Sequence, residues 1–305
     1  MIASPNAPAP TSLWREILFG PSGLRSGWRL AIFLGLTLLL QVPAGLAARR
    51  WNWMGSPGEP WVPAVLLRLE AVFILITLAV IAIMARIERR SFADYGIPWR
   101  RMFGRRFWEG AAWGVLTILA TVLPVWALGG YAVDGLAIRG AEAVQYLLLW
   151  AVAFVMAGVY EEITVRGYMQ RTLADGIGFG PAAVLLSVFF GFVLHYMEKE
   201  NETWVDGLSV SLIALFFCWT VWKTKDVWLA TGWHFTFNFV SMGILGSPNT
   251  GSGGGQPVVG HLLASRFAGS QLLTGWPMGL EASLWIFPAM ALTWGLLAWR
   301  FRARA

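Results

Sequence analysis

Eight stretches of the chain are almost continuously apolar: 28–48, 66–87, 108–128, 143–168, 180–196, 207–222, 227–245 and 281–300. Most approach the roughly 20 residues that a helix needs to cross the hydrocarbon of a bilayer. The fifth to seventh are shorter, which a tilted helix, or one ending in a polar cavity, accommodates. Polar residues collect in short segments between these runs. The pattern predicts an all-α fold, a polytopic transmembrane bundle of about eight spans.

Composition agrees with that pattern. Of 305 residues, 57% are hydrophobic and 13% charged, against about 25% charged in soluble domains. The 19 tryptophans suit a protein with rings at two membrane interfaces. A net charge of +6 raises nucleic acid as a partner, but the basic residues sit in alternate connecting segments, a mark of topology and not of a phosphate-binding face. The N-terminal segment, the second connection (Arg86, Arg89, Arg90, Arg100, Arg101, Arg105, Arg106), Arg171, Lys223, Lys225 and the tail (Arg300, Arg302, Arg304) fall on one side. Arg49, Arg50, Arg139, Lys199 and Arg266 fall on the other, with Glu198, Glu200 and Glu202. Both termini are therefore expected in the cytoplasm and the protein in the cell membrane, multi-pass. Cys218 is alone, so neither a disulfide framework nor a thiolate metal site is expected.

Residues 1–27 read as a disordered and interfacial segment, and 28–305 as the transmembrane domain. The first apolar run starts too late for the core of a cleavable signal peptide. Arg68 and Glu70 are two apart and do not face each other on a helix; they are expected at the outer interface, without function. The segment 246–279 is too long for a simple connector and reads as a flexible loop or a partial lid.

The polar residues inside the apolar runs carry the chemistry. In VYEEITVRG (159–167), Glu162 and Arg166 are four apart with the acid first, the favourable order for a helical ion pair. Glu161 points about 100° away on a helix and cannot share that arginine equally. His195 closes the fifth run. His234 belongs to the polar stripe Thr231, His234, Asn238, Ser241 of the seventh, and His261 is expected at the surface. A carboxylate base, a histidine and a His–Asn pair suffice for amide hydrolysis by water. Glu161, His195 and His234 are equally of the types that bind a catalytic zinc, although HExxH is absent. No GxSxG supports a serine triad.

EEITVRG at 161–167, the histidine closing the next run and HFTFN at 234–238 resemble the EExxxR, FxxxH and HxxxN motifs of the CPBP family. That family comprises CAAX prenyl proteases and bacteriocin-processing intramembrane endopeptidases. The similarity covers about 130–245, the protease-like core, and GLEASLW at 279–285 is similar to the family's later part. The resemblance implies an intramembrane endopeptidase acting on a membrane-associated protein or peptide. It makes Glu161 the water-activating base, Glu162 and Arg166 a supporting pair, His195 a second catalytic group, and His234 with Asn238 the oxyanion site. No cofactor is firmly implied, and a divalent metal such as zinc stays open. One departure stands out: the family's Phe is four before the histidine, where this chain has Gly191 between Phe190 and Phe192. There is also a tension in depth, since the spans put His195 toward the outer face and Glu161 nearer the cytoplasm. Two other readings stay open: a non-catalytic immunity or scaffold protein holding a peptide in the same cavity, and a proton-coupled transporter using Glu161 and the histidines as a relay.

Overall fold

The computed structural model describes residues 13–21, 23–53, 60, 62–196, 202–249 and 258–303. The expectation of disorder at 1–12 and the acids Glu198 and Glu200 lie outside these residues. Eight long helices occupy the eight predicted runs: α1 Ser26–Arg50, α2 Pro63–Glu88, α3 Arg105–Ala127, α4 Gly140–Ile177, α5 Phe179–His195, α6 Trp204–Thr224, α7 at 228–244 and α8 Ile286–Arg302. Five of them (α1 to α4 and α6) are long and apolar enough to cross a membrane by length and composition.

Local signals explain where these helices begin and end. Pro63 opens α2, where its missing N–H costs nothing. A capping box between Thr203 and Asp206 starts α6, and Lys225, left-handed at φ 65°, stops it. Gly178, at φ 83°, separates α4 from α5. Exposed tryptophans mark both ends of the bundle: Trp28, Trp99, Trp108, Trp222 and Trp299 at one, Trp51, Trp53, Trp126, Trp204 and Trp276 at the other.

The basic segments meet at a single end. Arg29 of α1 bonds Glu88 of α2 and Asp175 of α4, and Arg90 also reaches Asp175. There, too, Arg106 pairs with Asp226, Arg300 with Glu109, and Arg171 donates to the Lys225 carbonyl. The short segments that alternation predicts to share a side are thus joined by ion pairs and hydrogen bonds.

Helix α3 lies directly against α7. A Cβ on Gly110 or Gly114 would strike the α7 backbone at Leu229 or Trp233, and one on Gly232 would strike Phe107. Small residues therefore set this crossing, as they do where lipid supplies no hydrophobic drive between helices. The Trp233 indole fixes the rotation of α7 by donating to Thr117 at 3.1 Å.

Three expectations need correction. The segment 246–279 is not a bare loop: its described part contains strand β2, Leu263–Phe267, antiparallel to β1, Tyr131–Leu136. The ribbon is pinned by an Arg266–Asp134 ion pair, and the all-α expectation missed it. His261 is half-buried, with its Nδ1 2.7 Å from the Leu263 carbonyl oxygen and its ring against Gly246. Glu70 is enclosed by protein, where an exposed interfacial position is expected. α2 starts at Pro63, which places Glu70 two turns inside the helix, about 10 Å along it. It is buried, with one carboxyl oxygen lacking a hydrogen-bond partner, whereas Arg68 is exposed and donates to the Ala64 carbonyl.

Candidate active site

Helix α4 runs for 38 residues, nine beyond the expected end at 168, because its polar last turns pack into the basic end of the bundle. Glu161 lies 21 residues after Gly140 and 16 before Ile177. The two glutamates are therefore near the middle of the helix and not at its end. The tension in depth disappears, since α5 stops at His195 without spanning the full length of α4.

The site helices are not α-helical throughout. Residues Glu162–Met169 of α4, Phe189–His195 of α5 and Phe239–Ile244 of α7 are π-helical. Such turns, with i→i+5 bonds, occur frequently at functional sites. On α5 the π-turn accounts for the departure from FxxxH. Gly191 faces α6, where a Cβ would strike Gly207 and Ser211. Phe190, five before the histidine instead of four, comes to the cavity with its ring 4.7 Å from that of His195. The extra residue is absorbed by the wider turn.

A partly open cavity of about 60 Å³ lies between α4, α5, α6 and α7. Glu161, Arg166, Phe190, His195, His234 and Asn238 all contribute to its wall. Glu162 lies behind that wall, fully buried. Its Oε1 accepts from Arg166 Nη1 at 3.2 Å and lies 3.1 Å from His234 Nδ1. With Nδ1 held by that carboxylate, His234 Nε2 points the other way and stands 4.0 Å from Glu161 Oε2. The Glu161 side chain is 28% exposed. The Arg166 guanidinium is sandwiched over the rings of Phe190 and Phe217 at 4.8 and 5.2 Å, and His234 stacks on Phe217. Gly158, one turn before the glutamates, allows α4 to approach the backbone of α7 at Thr231.

Several residues at the site escaped the sequence reading. Asn249 and Glu281 line the cavity from the connection between α7 and α8. Glu70 of α2 is within electrostatic reach of Glu161 and His234. A carboxylate within an apolar run is a functional signal by default; placing Glu70 at the interface obscured it. The glutamate–histidine bond joins two motifs 72 residues apart, and neither motif alone announces it.

Among the described residues, no three His, Cys, Asp or Glu side chains are grouped closely enough to hold a metal ion. Glu161, His195 and His234 line one cavity but are not gathered into a ligand shell, and no step below passes through a metal.

Two adjacent carboxylates with unequal exposure, two histidines on separate helices and an asparagine amide define a site suited to acid–base hydrolysis inside a helical membrane protein. Residues 143–240 match the family model of the type II CAAX prenyl endopeptidase Rce1-like proteins. The family model and the motifs thus point to the same core, which is similar to the CAAX-protease type. No curated protein and no solved structure matches the chain.

Proposed function

We propose that the protein is an intramembrane endopeptidase that hydrolyses a peptide bond in a membrane-associated protein or peptide by direct attack of water. The observation that carries this reading is the division between the two glutamates. Glu162 is buried and engaged by Arg166 and His234, whereas Glu161 opens to the cavity beside His234 Nε2.

Glu161 takes a proton from a water as its oxygen attacks the scissile carbonyl. The carbonyl oxygen becomes an oxyanion, which the Asn238 amide and the Nε2–H of His234, kept as an imidazolium beside the Glu162 carboxylate, stabilise by donating to it. Glu162 holds the imidazole in that orientation through Nδ1, and Arg166 holds Glu162. His195, which also lines the cavity, donates a proton to the departing amine. A new C–O bond replaces the C–N bond, so no oxidant, reductant or cofactor is consumed. The protein resides in the cell membrane, with the basic end of the bundle, and hence both termini, in the cytoplasm.

Purified protein tested against a library of membrane-anchored peptides, beside Glu161→Gln, checks this reading. Cleavage that falls about a hundredfold or more in the variant, the scale of a lost general base, is expected. Intact binding of peptides with no cleavage by the unaltered protein would instead favour the scaffold function.

A further inference from the structure

Glu70 is the only charged residue of α2 between Arg68 and Arg86, and the proposed mechanism does not use it. It is 8% exposed, and one of its carboxyl oxygens is buried without a hydrogen-bond partner. Among the described residues no arginine or lysine pairs with it. Arg68 turns back to the Ala64 carbonyl, and Gln41 donates to the Tyr160 hydroxyl at 3.1 Å. A carboxyl group that anchors no fold contact and stands in an apolar run is a functional signal, and the question is what it pairs with.

Its place in the bundle is beside the working groups. Phe73, three residues on and on the same face of α2, packs its ring 5.7 Å from that of Tyr160, the neighbour of Glu161. Two residues before Tyr160, Gly158 lies against α7, where an added Cβ would come 3.6 Å from His234 Cβ. Glu70 thus looks onto the stretch of α4 that carries Glu161 and touches His234, and it is within electrostatic reach of both. The cations there are engaged. Arg166 serves Glu162, and His234 lies 3.1 Å from Glu162 and 4.0 Å from Glu161. What the set lacks is one more positive charge.

The surroundings indicate what can bring that charge. Leu66 and Leu67 of α2 and Phe235, next to His234, are apolar and only partly buried. Such a wall accepts the methylene stem of a lysine or arginine while the charged end reaches a carboxylate. We infer that Glu70 is a specificity-determining residue that pairs with a basic side chain of the substrate, close to the scissile bond. The inference rests on the peptidase reading above and adds to it the class of substrate, a membrane-associated peptide with a lysine or arginine at that place.

The test uses the full-length protein in mild detergent and acyl-anchored peptides identical except at one position. That position is moved along the peptide and filled in turn by lysine, by norleucine, which is close in shape but uncharged, or by glutamate. Cleavage is read as kcat/KM with the unaltered protein, and affinity is read with Glu161→Gln, in which cleavage is slow. At one position lysine should be favoured over norleucine by about tenfold or more, the scale of a hydrogen bond to a charged group, and glutamate should be the poorest. Glu70→Gln should abolish the lysine preference, and Glu70→Asp, which keeps the charge, should retain one. Glu142→Gln, which removes an exposed carboxylate in the first turn of α4, should leave the preference within about twofold. Because the ratio compares two peptides on the same protein, a partly unfolded variant does not shift it. No position at which lysine is favoured, a preference that survives Glu70→Gln, or one that Glu142→Gln also removes would overturn the assignment. Lysine-selective binding without cleavage by the unaltered protein would sink the peptidase reading and leave the Glu70 site standing, whereas cleavage indifferent to charge would do the reverse.

Discussion

Glu162→Gln is the most informative single change, because Glu162 touches both the fold and the chemistry. The substitution keeps the volume and removes the negative charge that Arg166 and His234 share at 3.2 and 3.1 Å. Arg166 is only 1% exposed and cannot turn to water. Breaking one side of a buried pair costs about 3–5 kcal/mol. The Phe190 and Phe217 faces cradle the guanidinium in both proteins and so do not change this difference, which stays at about 3–5 kcal/mol. Glu161→Gln strands no such buried ion and should melt near the unaltered protein. The double variant Glu162→Gln/Arg166→Gln should recover much of the stability, being less damaged than the two single losses summed. It should not recover turnover, because His234 Nδ1 still lacks its carboxylate. The assay is melting temperature in detergent beside peptide turnover for the unaltered protein, the single variants Glu161→Gln, Glu162→Gln and Arg166→Gln, and the double variant. If Glu161→Gln is the variant that melts early while Glu162→Gln melts normally, the roles of the two glutamates are reversed. If the double variant regains activity, Glu162 does not orient His234.

Other expectations follow from single contacts. Gly191→Phe, which writes the family's motif back into α5, should destabilise the protein, since even Gly191→Ala overpacks against Gly207 and Ser211 at about 1–3 kcal/mol; normal melting of the alanine variant would refute the helix contact. Phe190→Ala should lower turnover more than stability, and an unchanged rate would remove Phe190 from the site wall. Reporter fusions at residues 95 and 269 should report opposite compartments, whereas one compartment for both would break the eight-span topology. Activity should survive strong chelation, and about one zinc per chain lost together with activity would reverse that expectation. Glu70→Gln removes a buried carboxyl group whose oxygen has no partner and should not lower the melting temperature; a drop of several degrees would show a hydrogen bond that matters to the fold.

The positions of the helices were legible because hydropathy reports burial in lipid or protein directly, and each of the eight runs contains one helix. Their ends were less so. Residues 169–177 continue α4 although they are polar, because Asp175 and Arg171 find partners at the basic end instead of water alone. The Glu162–Arg166 pairing could be read from spacing even though the segment is π-helical and not α-helical as assumed. Periodicity does not distinguish an i→i+4 from an i→i+5 turn over one repeat, so the shift of the aromatic wall from position 191 to Phe190 appeared only as a missing phenylalanine. The β1–β2 ribbon was invisible for another reason. Tyr131 pairs with Phe267, 136 residues away, and neither short strand alternates strongly enough to be identified alone.

The small volume of the cavity decides how the proposed enzyme must work. Sites that enclose drug-sized ligands typically measure about 300–1,000 Å³, and the space beside Glu161 is about 60 Å³. It has room for the attacking water but not for a polypeptide in extended form. In the proposed reaction the peptide therefore lies at the mouth of the cavity or spreads its wall, which includes α5, the shorter apolar helix, whose last seven residues are π-helical. Such an enzyme selects its substrates first by whether they can wedge between its helices from within the bilayer, and only then by the residues at the scissile bond. On this proposal, admission of the substrate is a step of turnover alongside the acid–base chemistry.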